Sequence, residues 1–322
     1  MKARKSKIEA ELAKRSKAKP TINELTLESY LFDKQLDFVR DDAPFKVAVT
    51  SRRSGKTVSC AVDLLYTALN TSEIVCLYIT LSRNNAKKII WPELKRLCRK
   101  FGISPKFNES DLSCELENGS MIYCSGASDK SEIEKFRGLS LKKVYIDECQ
   151  SFPNYIEGLI DDVLAPALMD YAGSISLIGT PGPIPVGFFF DAYNSPNWSN
   201  HSWTFWDNPH IAAKSGLTHK DLFKRELKRR GVDKSAPSIQ REWFGKWVLD
   251  TDSLVFKYDS KVNDYEQTPL CDNFIMGIDL GYDDADAICI LGWNDKEKVT
   301  YIVEEKTTRH QGLTELVEQI DN

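Results

Sequence analysis

A segment between a short apolar run and a helical pattern has the composition of a phosphate-binding loop. The run is Phe45–Thr50, and the segment 50–57 reads Thr-Ser-Arg-Arg-Ser-Gly-Lys-Thr. A loop in this position presents backbone N–H groups and a helix N-terminus to an anion. Gly55 permits close approach of a ligand, Lys56 would reach the β- and γ-phosphates, and Thr57 would bind Mg²⁺. The segment therefore predicts a nucleotide site.

A second signal is the apolar strand 144–147, which ends in two adjacent acids, Asp147 and Glu148. An Asp at the carboxyl edge of a strand beside the loop would hold Mg²⁺ through water. The neighbouring Glu148 would orient and deprotonate an attacking water. The pair favours hydrolysis of a nucleoside triphosphate over phosphorylation of a small molecule.

A third signal is the apolar strand Ser174–Gly179, after which Thr180 stands at the start of a turn. A polar residue at such a strand tip would sense the γ-phosphate. Arg52 and Arg53 supply cations inside the loop that would stabilise transition-state charge in cis. Arg137 lies just before the acidic strand and is a weaker candidate for the same task.

The elements that must position these residues alternate between strand and helix, which predicts an α/β fold with a mostly parallel central sheet. Asn118 and Gly119 suit the two positive-φ positions of a type I′ hairpin turn, and Pro166 is expected to break its helix. The predicted elements are helix 57–69, strand 74–80, helix 86–101, hairpin 112–124, strand 143–147 and helix 156–171.

The C-terminal half of the sequence predicts a change of architecture. The segment 185–250 is typical of helices with loops, and its many aromatic residues are expected to form core. Weak periodicity over 251–270 indicates a linker. The runs 274–280, 287–293 and 299–303 predict a three-stranded meander, followed by a helix over 313–320.

Composition excludes several classes of protein. The chain has 322 residues, a net charge of −4 and 42% hydrophobic residues, which is typical of a globular protein with a buried core. No apolar run has the length of a membrane span, and no signal peptide is apparent. The eight cysteines and four histidines show no metal-ligand spacing, which favours buried thiols in a reducing compartment.

Charge is unevenly distributed along the chain. Residues 1–20 contain eight Lys or Arg and two Glu, whereas residues 271–322 contain four Lys or Arg and twelve Asp or Glu. The first segment is interpreted as a basic solvated tail, with an arm for nucleic acid or a protein partner as the alternative. Because of this asymmetry, the small net charge is no argument against a nucleic-acid partner.

The ordered set of these motifs resembles the ATPase of the large terminase subunit of tailed bacteriophages over residues 30–322. The resemblance includes Phe-Arg-Gly at 136–138, Tyr-Ile-Asp-Glu-Cys-Gln at 145–150 and Ile-Gly-Thr-Pro at 178–181. It also includes Asp-Asn-Pro-His-Ile at 207–211 and Gln-Arg-Glu-Trp-Phe-Gly at 240–245. A non-Gly first loop position, here Thr50, is common in that family.

The resemblance implies an ATP-hydrolysing motor that moves double-stranded DNA into a capsid. It implies a P-loop NTPase fold whose subunits form a ring of five, with a portal protein and a small terminase subunit as partners. The expected location is the cytoplasm of the infected bacterial host, docked at the procapsid portal. ATP and Mg²⁺ are the implied ligands.

Site roles carry over residue by residue. Asp147 is the implied Walker B acid, Glu148 the catalytic carboxylate, Arg52 the loop arginine and Thr180 the coupling residue. Gln35 stands where the family reads adenine. The implied nucleotide-binding set is Gln35, Ser51, Arg52, Arg53, Ser54, Gly55, Lys56 and Thr57, with Thr57 and Asp147 on Mg²⁺.

The family also carries an RNase H-like nuclease, and Gly-Ile-Asp-Leu-Gly at 277–281 is similar to its first strand. Asp279 would be the first ligand of a two-metal Mg²⁺ or Mn²⁺ site. The further acids are expected past residue 322: Glu304 and Glu305 end the third strand, and Asp283, Asp284 and Asp286 are expected to face solvent. We therefore expect an incomplete nuclease half and no DNA cutting by this chain.

The predicted organisation is a basic tail over 1–20, an ATPase domain over 21–250, a linker over 251–270 and the start of a nuclease domain over 271–322. Two alternatives stay open: another P-loop DNA motor such as a helicase, and a non-catalytic prophage remnant that acts in binding or assembly. Strand-separating activity would distinguish the helicase, and the intact Lys56 and Glu148 argue against a remnant.

Overall fold

A computed structural model of the chain describes residues 24–153, 155–250, 260–265, 267, 270–281, 286–296, 299–308 and 312–321. The predicted basic tail and most of the predicted linker lie outside these residues. By its internal contacts the chain divides into two compact units, Met1–Leu254 and Val255–Asn322. Among the described residues, no helix has the length and apolar character needed to cross a membrane.

In the described part of the first unit, eight strands form one sheet. They are β1 Phe45–Thr50, β2 Val75–Thr80, β3 Lys106–Asn108, β4 Ser113–Glu115, β5 Met121–Gly126, β6 Leu141–Asp147, β7 Ser174–Gly179 and β8 Ser199–Trp203. Their order is β3-β4-β5-β2-β6-β7-β1-β8. In this order, the strands from β5 through β2, β6, β7 and β1 to β8 run parallel to their neighbours. Only the pairs β3–β4 and β4–β5, at one edge of the sheet, are antiparallel. The predicted mostly parallel α/β fold is confirmed.

The parallel register brings three strand ends to the same edge of the sheet. On β7, Ile178 lies beside Asp147 of β6 and Gly179 lies beside Val49 of β1. The residues that follow these strands, including Thr180, are therefore neighbours although they are far apart in sequence. This edge is where ligands bind in open parallel sheets.

Helices cover both faces of the sheet, as the continuous apolar strands require. The helices are α1 Glu24–Tyr30, α2 Asp33–Arg40, α3 Lys56–Asn70, α4 Arg83–Phe101, α5 Lys130–Ile133, α6 Ile156–Gly158, α7 Ala165–Ala167, α8 Phe188–Asn194, α9 His210–Ser215, α10 His219–Arg230 and α11 Pro237–Phe244. Alternate residues of β1 point to opposite faces. Ala48 joins the core under α3 and α4, whereas Val47 and Val49 join the core under residues 156–168 and α8.

The hairpin between β4 and β5 forms as predicted, but its turn does not. Gly119 has φ +82, whereas Asn118 is not among the positive-φ residues, so the turn is not type I′. The amide of Asn118 instead donates to the carbonyls of Ala68 and Leu69 at the end of α3. A tertiary contact therefore sets the turn, because that helix end needs hydrogen-bond donors for its last carbonyls.

The predicted helix over 156–171 is broken, as Pro166 suggested, into four short pieces. α6 leads into a π-helical segment Leu159–Leu164, which is followed by α7 and a 3₁₀ turn Met169–Tyr171. Pro166 lies within α7, near its start, where its missing N–H is tolerated.

The segment 185–250 holds the predicted helices and one strand that the sequence analysis missed. β8 is polar apart from Trp203, so it carries no apolar signal, yet it pairs in parallel with β1 at the edge of the sheet. The aromatic residues form core as expected. Phe205 packs on Trp243, and Trp206 packs on Phe223 and Phe244, with ring centroids 4.7 to 5.7 Å apart.

The second unit contains the predicted antiparallel meander. Its strands are β9 Asn273–Asp279, β10 Asp286–Trp293 and β11 Thr300–Thr308, in the order β11-β10-β9, with helices α12 Ser260–Asn263 and α13 Leu313–Asp321. Two details of the prediction are wrong. Glu304 and Glu305 lie inside β11, because that strand continues to Thr308. Asp286 does not face solvent: it is buried, and its carboxylate accepts the N–H of Gly281 at 2.8 Å.

A buried charged cluster lies within the first unit. Asp63 of α3 is fully buried and accepts hydrogen bonds from Lys143 at 2.7 and 2.8 Å and from the hydroxyl of Tyr145 at 2.6 Å. Lys46 is also buried and donates to two backbone carbonyls. Burial lowers the pKa of Lys46, although the negative charge of Asp63 opposes the shift. The cluster therefore depends on Asp63 for its negative charge.

We predict that Asp63→Ala lowers the free energy of unfolding by about 3 kcal/mol, because it leaves a nearly buried ammonium group without its counter-charge. Urea denaturation would measure the change. Asp37→Ala on α2, where Asp37 is exposed, is the matched control and should change stability by less than about 0.5 kcal/mol. Equal effects of the two substitutions would contradict the role given to Asp63.

Candidate functional site

The loop between β1 and α3 has a backbone shape that its sequence requires. Gly55 has φ +89 and Arg53 has φ +58, so both adopt the left-handed conformation. A Cβ on Gly55 would stand 2.8 Å from the Gln35 amide nitrogen, which donates to the Gly55 carbonyl at 3.0 Å. Glycine at this position allows both the turn and the close contact.

Residues that are distant in sequence hold the loop in place through hydrogen bonds. Ser51 is fully buried, and its hydroxyl accepts the backbone N–H of Phe205. Asn208 donates its amide to the carbonyl of Arg53 at 2.9 Å, and Thr50 donates its hydroxyl to the carbonyl of Gly179 at 3.1 Å. The loop is therefore fixed before any ligand binds. Ser51, predicted to bind nucleotide, serves here as a buried support.

Lys56 joins three strand ends. Its ammonium group donates to a carboxylate oxygen of Glu148 at 2.8 Å and to the hydroxyl of Thr180 at 3.2 Å. Its side chain is 11% exposed. Burial alone would lower the pKa of Lys56, but the negative charges of Asp147 and Glu148 outweigh burial and raise the pKa above its ordinary value. Lys56 is therefore a fixed cation.

The two adjacent acids occupy different environments. Asp147 is buried, and burial raises its pKa, although the positive charge of Lys56 opposes the shift. Its two oxygens accept hydrogen bonds from the hydroxyl of Tyr78 and, at 2.8 Å, from the N–H of Glu148. These two donors fix the direction of the carboxylate at the end of β6.

Glu148 turns away from the strand because its backbone is left-handed, with φ +55. Its oxygens accept hydrogen bonds from Lys56 and, at 2.6 Å, from the amide of Gln150. Burial alone would raise the pKa of Glu148, but the charge of Lys56 outweighs burial and lowers the pKa below its ordinary value. Glu148 is thus held as an anion that can accept a proton from a water molecule.

The arginines differ in position. Arg52 is 74% exposed, forms an ion pair with Glu242 of α11 and lies at the mouth of the site. Arg53 lines the same opening. Arg137 instead pairs with Glu134 and donates to the carbonyl of Asp162, and it is not among the residues that line this opening.

Two cavities meet at the loop and share Arg53 and Lys56. The smaller, about 430 Å³, is lined by charged and polar groups that include Glu148, Gln150 and Thr180. The larger, about 600 Å³, is lined by Tyr30, Phe32, Gln35, Ser54, Gly55, Thr57, Arg96, Lys100, Asn208 and His210, among others. The larger cavity has aromatic walls suited to a nucleoside, whereas the smaller one is suited to phosphate and water.

One polar group in the lining of the larger cavity has no hydrogen-bond partner among the described residues. It is the hydroxyl of Ser54, which is buried. An anion in the loop would satisfy it, because buried polar groups are otherwise paired. Ser54, Gly55, Lys56 and Thr57 therefore lie together around one ligand position, and the amide of Gln35 borders it.

A Mg²⁺ ion fits the donors of this site. Magnesium in nucleotide sites is held by one or two protein oxygens, substrate phosphates and water. Thr57 lines the larger cavity, and Asp147 is buried at the end of β6, where Tyr78 orients one of its oxygens and the N–H of Glu148 the other. No group of three or more His, Cys, Asp or Glu able to hold a metal occurs among the described residues, and such a magnesium site does not need one.

The predicted nuclease residue Asp279 lies in the second unit. It is the last residue of β9, is exposed, and pairs across the sheet with Ala287. Within the described residues, no further acids join it in a metal-binding group.

Tyr78 and Gln150 are site residues that the sequence analysis missed. Tyr78 sits in the middle of an apolar strand and carries the signal of a core residue. Gln150 closes the motif at 145–150, two positions after Glu148, but the motif by itself gives it no role.

Comparison with known proteins finds one family model and several solved structures that are similar to this chain. Residues 42–170 match the family model described as phage terminase large subunit. No curated protein sequence matches the chain. The fold resembles the large terminase of a thermophilic bacteriophage, with a TM-score of 0.55 and 19% identity over 90% of this chain and 72% of that chain.

Two further structures share the fold. The ATPase domain of the Thermus phage P74-26 large terminase matches with a TM-score of 0.55 and 16% identity, over 72% of this chain and 100% of that chain. The bacteriophage HK97 large terminase matches with a TM-score of 0.57 and 16% identity, over 84% of this chain and 62% of that chain.

If Asp147 holds Mg²⁺, as the sequence predicts, its contact with Tyr78 predicts an effect on metal binding. Tyr78→Phe should raise the Mg²⁺ concentration that gives half-maximal ATP hydrolysis about tenfold, because donors that orient a metal-binding carboxylate typically contribute at least that factor. Tyr145→Phe is the matched control, since it removes a buried hydroxyl from a different carboxylate, Asp63. A Mg²⁺ requirement shifted equally in both variants would contradict the prediction.

Proposed function

We infer that this chain, whose residues 42–170 belong to the phage terminase large-subunit family, is the ATP-hydrolysing motor that packages double-stranded viral DNA. The observation that carries this proposal is the meeting of three groups at one edge of the sheet. Lys56 follows β1, Glu148 follows β6 and Thr180 follows β7, and the ammonium group of Lys56 contacts both of the others. A cation, a base and a sensing hydroxyl are the parts that phosphoryl transfer to water requires.

In the proposed reaction the loop binds the phosphates of ATP. The N–H groups at the start of α3 and the unpaired hydroxyl of Ser54 face an anion in the loop. Lys56 then exchanges its bonds with Glu148 and Thr180 for bonds to the β- and γ-phosphates. This exchange leaves Glu148 free to orient and deprotonate the attacking water.

Asp147 and Thr57 are the residues proposed to hold Mg²⁺. The ion would neutralise charge that develops on the phosphate oxygens. Asp147 has both oxygens engaged by donors, which fits contact with the ion through water. Tyr78 and the N–H of Glu148 keep that carboxylate in place.

Arg52 is proposed to stabilise the transition state in cis. In the structure its side chain pairs with Glu242, and its backbone N–H donates to the carbonyl of the same residue at 2.8 Å. Because its guanidinium is largely exposed, it can leave Glu242 and turn into the adjoining cavity. Glu242 would then hold Arg52 away from the phosphates until ATP is bound.

The partners belong to the same proposal. Double-stranded DNA is the cargo, and a ring of five subunits docks on a portal protein with the help of a small terminase subunit. The work takes place in the cytoplasm of the infected host, at the procapsid. Asp279 and the strands β9 to β11 are proposed to open an RNase H-like nuclease domain. The expectation that this chain does not cut DNA stays a prediction.

The exposed face of α10 is a surface suited to DNA phosphates. Lys220, Lys224 and Lys228 follow one another at intervals of four residues, so they share one face of the helix about 6 Å apart along its axis. All three are exposed, and the ion pair of this helix among the described residues joins Arg229 to Glu226 instead. Phe223 anchors the helix on Trp206 and Trp243.

One prediction from the proposed function tests the ATP hydrolysis itself. Lys56→Ala should abolish ATP hydrolysis, because the phosphates lose their main cation. Glu148→Gln should still bind ATP but hydrolyse it at least about 100-fold more slowly, the scale for the loss of a general base. Steady-state ATPase assays and nucleotide-binding titrations would measure both effects.

Lys106→Ala, at an exposed lysine on β3, is the control and should leave turnover unchanged. Near-normal turnover in Lys56→Ala would contradict the loop assignment. Weakened ATP binding with an unchanged rate per bound ATP in Glu148→Gln would make Glu148 structural.

Another prediction from the proposed function tests the lysine face of α10 as a DNA-binding surface. Replacing Lys220, Lys224 and Lys228 together by Gln should weaken binding of duplex DNA and reduce its stimulation of ATP hydrolysis, with basal hydrolysis unchanged. The slope of log affinity against log salt should fall by about 0.9 for each DNA phosphate that the variant no longer neutralises.

A triple substitution of Lys87, Lys88 and Lys106 by Gln changes the net charge by the same amount at other exposed sites. Equal weakening by both triple variants would show that net charge alone is responsible. A wild-type chain that binds no DNA would contradict the motor itself.

A further inference from the structure

Gln150 makes a bridge at the centre of the site that no role so far uses. It lies in the 3₁₀ turn Cys149–Ser151 directly after Glu148. Its side-chain nitrogen donates to Glu148 at 2.6 Å, and its side-chain oxygen accepts the backbone N–H of Thr180 at 3.2 Å. One side chain thus connects the carboxylate after β6 with the strand tip after β7.

The orientation of the Gln150 amide is fixed by its two partners. An ionised carboxylate can only accept hydrogen bonds, and a backbone N–H can only donate them. The carboxylate of Glu148 forms an ion pair with the ammonium group of Lys56 at 2.8 Å. Flipping the amide would place oxygen against oxygen and N–H against N–H, so a single orientation satisfies both partners.

The neighbouring strand is shaped to admit this amide. A Cβ on Gly179 would stand 2.3 Å from the side-chain oxygen of Gln150, a distance that non-bonded heavy atoms do not adopt. Gly179 has no positive φ, so backbone conformation does not explain the glycine. Space for Gln150 explains it, together with the ring of Phe189, whose nearest atoms would lie 3.0 and 3.1 Å from the same Cβ.

Gln150 also completes a closed circuit of contacts. Lys56 contacts Glu148 and Thr180, and Gln150 contacts the same two residues through different atoms. When Lys56 turns to the phosphates, as the proposed reaction requires, the bond from Gln150 is the one described side-chain hydrogen bond that remains on Glu148.

We propose that Gln150 is the positioning residue that aims Glu148 at the attacking water and ties its orientation to Thr180 at the tip of β7. The inference rests on the proposed ATP hydrolysis and deepens it. Its physical basis is a charge-assisted hydrogen bond that survives the release of Lys56. Through the second bond, a shift of the β7 tip would be passed directly to the catalytic carboxylate.

The test is a double-mutant cycle on the full chain with ATP and Mg²⁺. Gln150→Leu keeps the size of the side chain and removes both hydrogen bonds. It should lower kcat roughly 10- to 100-fold, the scale of a charge-assisted hydrogen bond, while the KM for ATP changes less than about threefold. In a Glu148→Gln background the same substitution should change single-turnover hydrolysis less than about threefold, because Gln150 acts through Glu148.

Gly179→Ala is a second route to the same change, because its new methyl group would displace the amide without altering Gln150, although it would also crowd the ring of Phe189. It should also lower kcat with little change in KM. Gln267→Leu, at an exposed glutamine in the second unit, is the matched control and should leave kcat unchanged. Thermal unfolding with bound ATP would confirm that each variant is folded and binds nucleotide.

The possible outcomes distinguish a failure of the proposed ATP hydrolysis from a failure of the role given to Gln150. A wild-type chain without ATP hydrolysis would overturn the proposed function itself. With hydrolysis present, a kcat for Gln150→Leu within twofold of wild type would overturn the role of Gln150. Equal reductions in the wild-type and Glu148→Gln backgrounds would show that Gln150 only supports the fold, and would also overturn it.

Discussion

The ammonium group of Lys56 is the group on which the rest of the site depends. It is nearly buried, so its charge must be balanced nearby, and Asp147 and Glu148 supply that balance. Desolvating a charge costs several kcal/mol unless it is paired. The three groups therefore keep one another in place, and the order β6-β7-β1 in the sheet supplies the geometry that lets them meet.

The same constraint separates the roles of two adjacent carboxylates. Asp147 ends a buried strand, where burial raises its pKa and two donors fix its direction. Glu148 leaves the strand through a left-handed residue, where the charge of Lys56 lowers its pKa. One carboxylate is suited to hold an ion through water and the other to accept a proton. A single change of backbone direction between neighbouring residues produces this difference.

Agreement between sequence and structure is best where the signal is local. The strands Phe45–Thr50 and Ser174–Gly179 have the predicted bounds, because continuous apolar runs bounded by turn residues define buried strands. Errors occur where a distant partner decides. Asn118 caps the end of α3 rather than adopting a positive φ, and β8 forms because β1 offers it an edge, although its own residues are polar.

The sequence by itself determined the chemistry of the candidate site: a phosphate-binding loop with Gly55 and Lys56, an acidic pair at 147–148 and a polar strand tip at Thr180. Such motifs are local, since residue type and spacing on one element define them. Only the tertiary structure decided that Ser51 supports the loop from below, that Tyr78 orients Asp147 and that Gln150 bridges Glu148 and Thr180. These contacts join residues that the order of strands brings together, and hydrogen bonds across strands leave no periodic trace in the sequence.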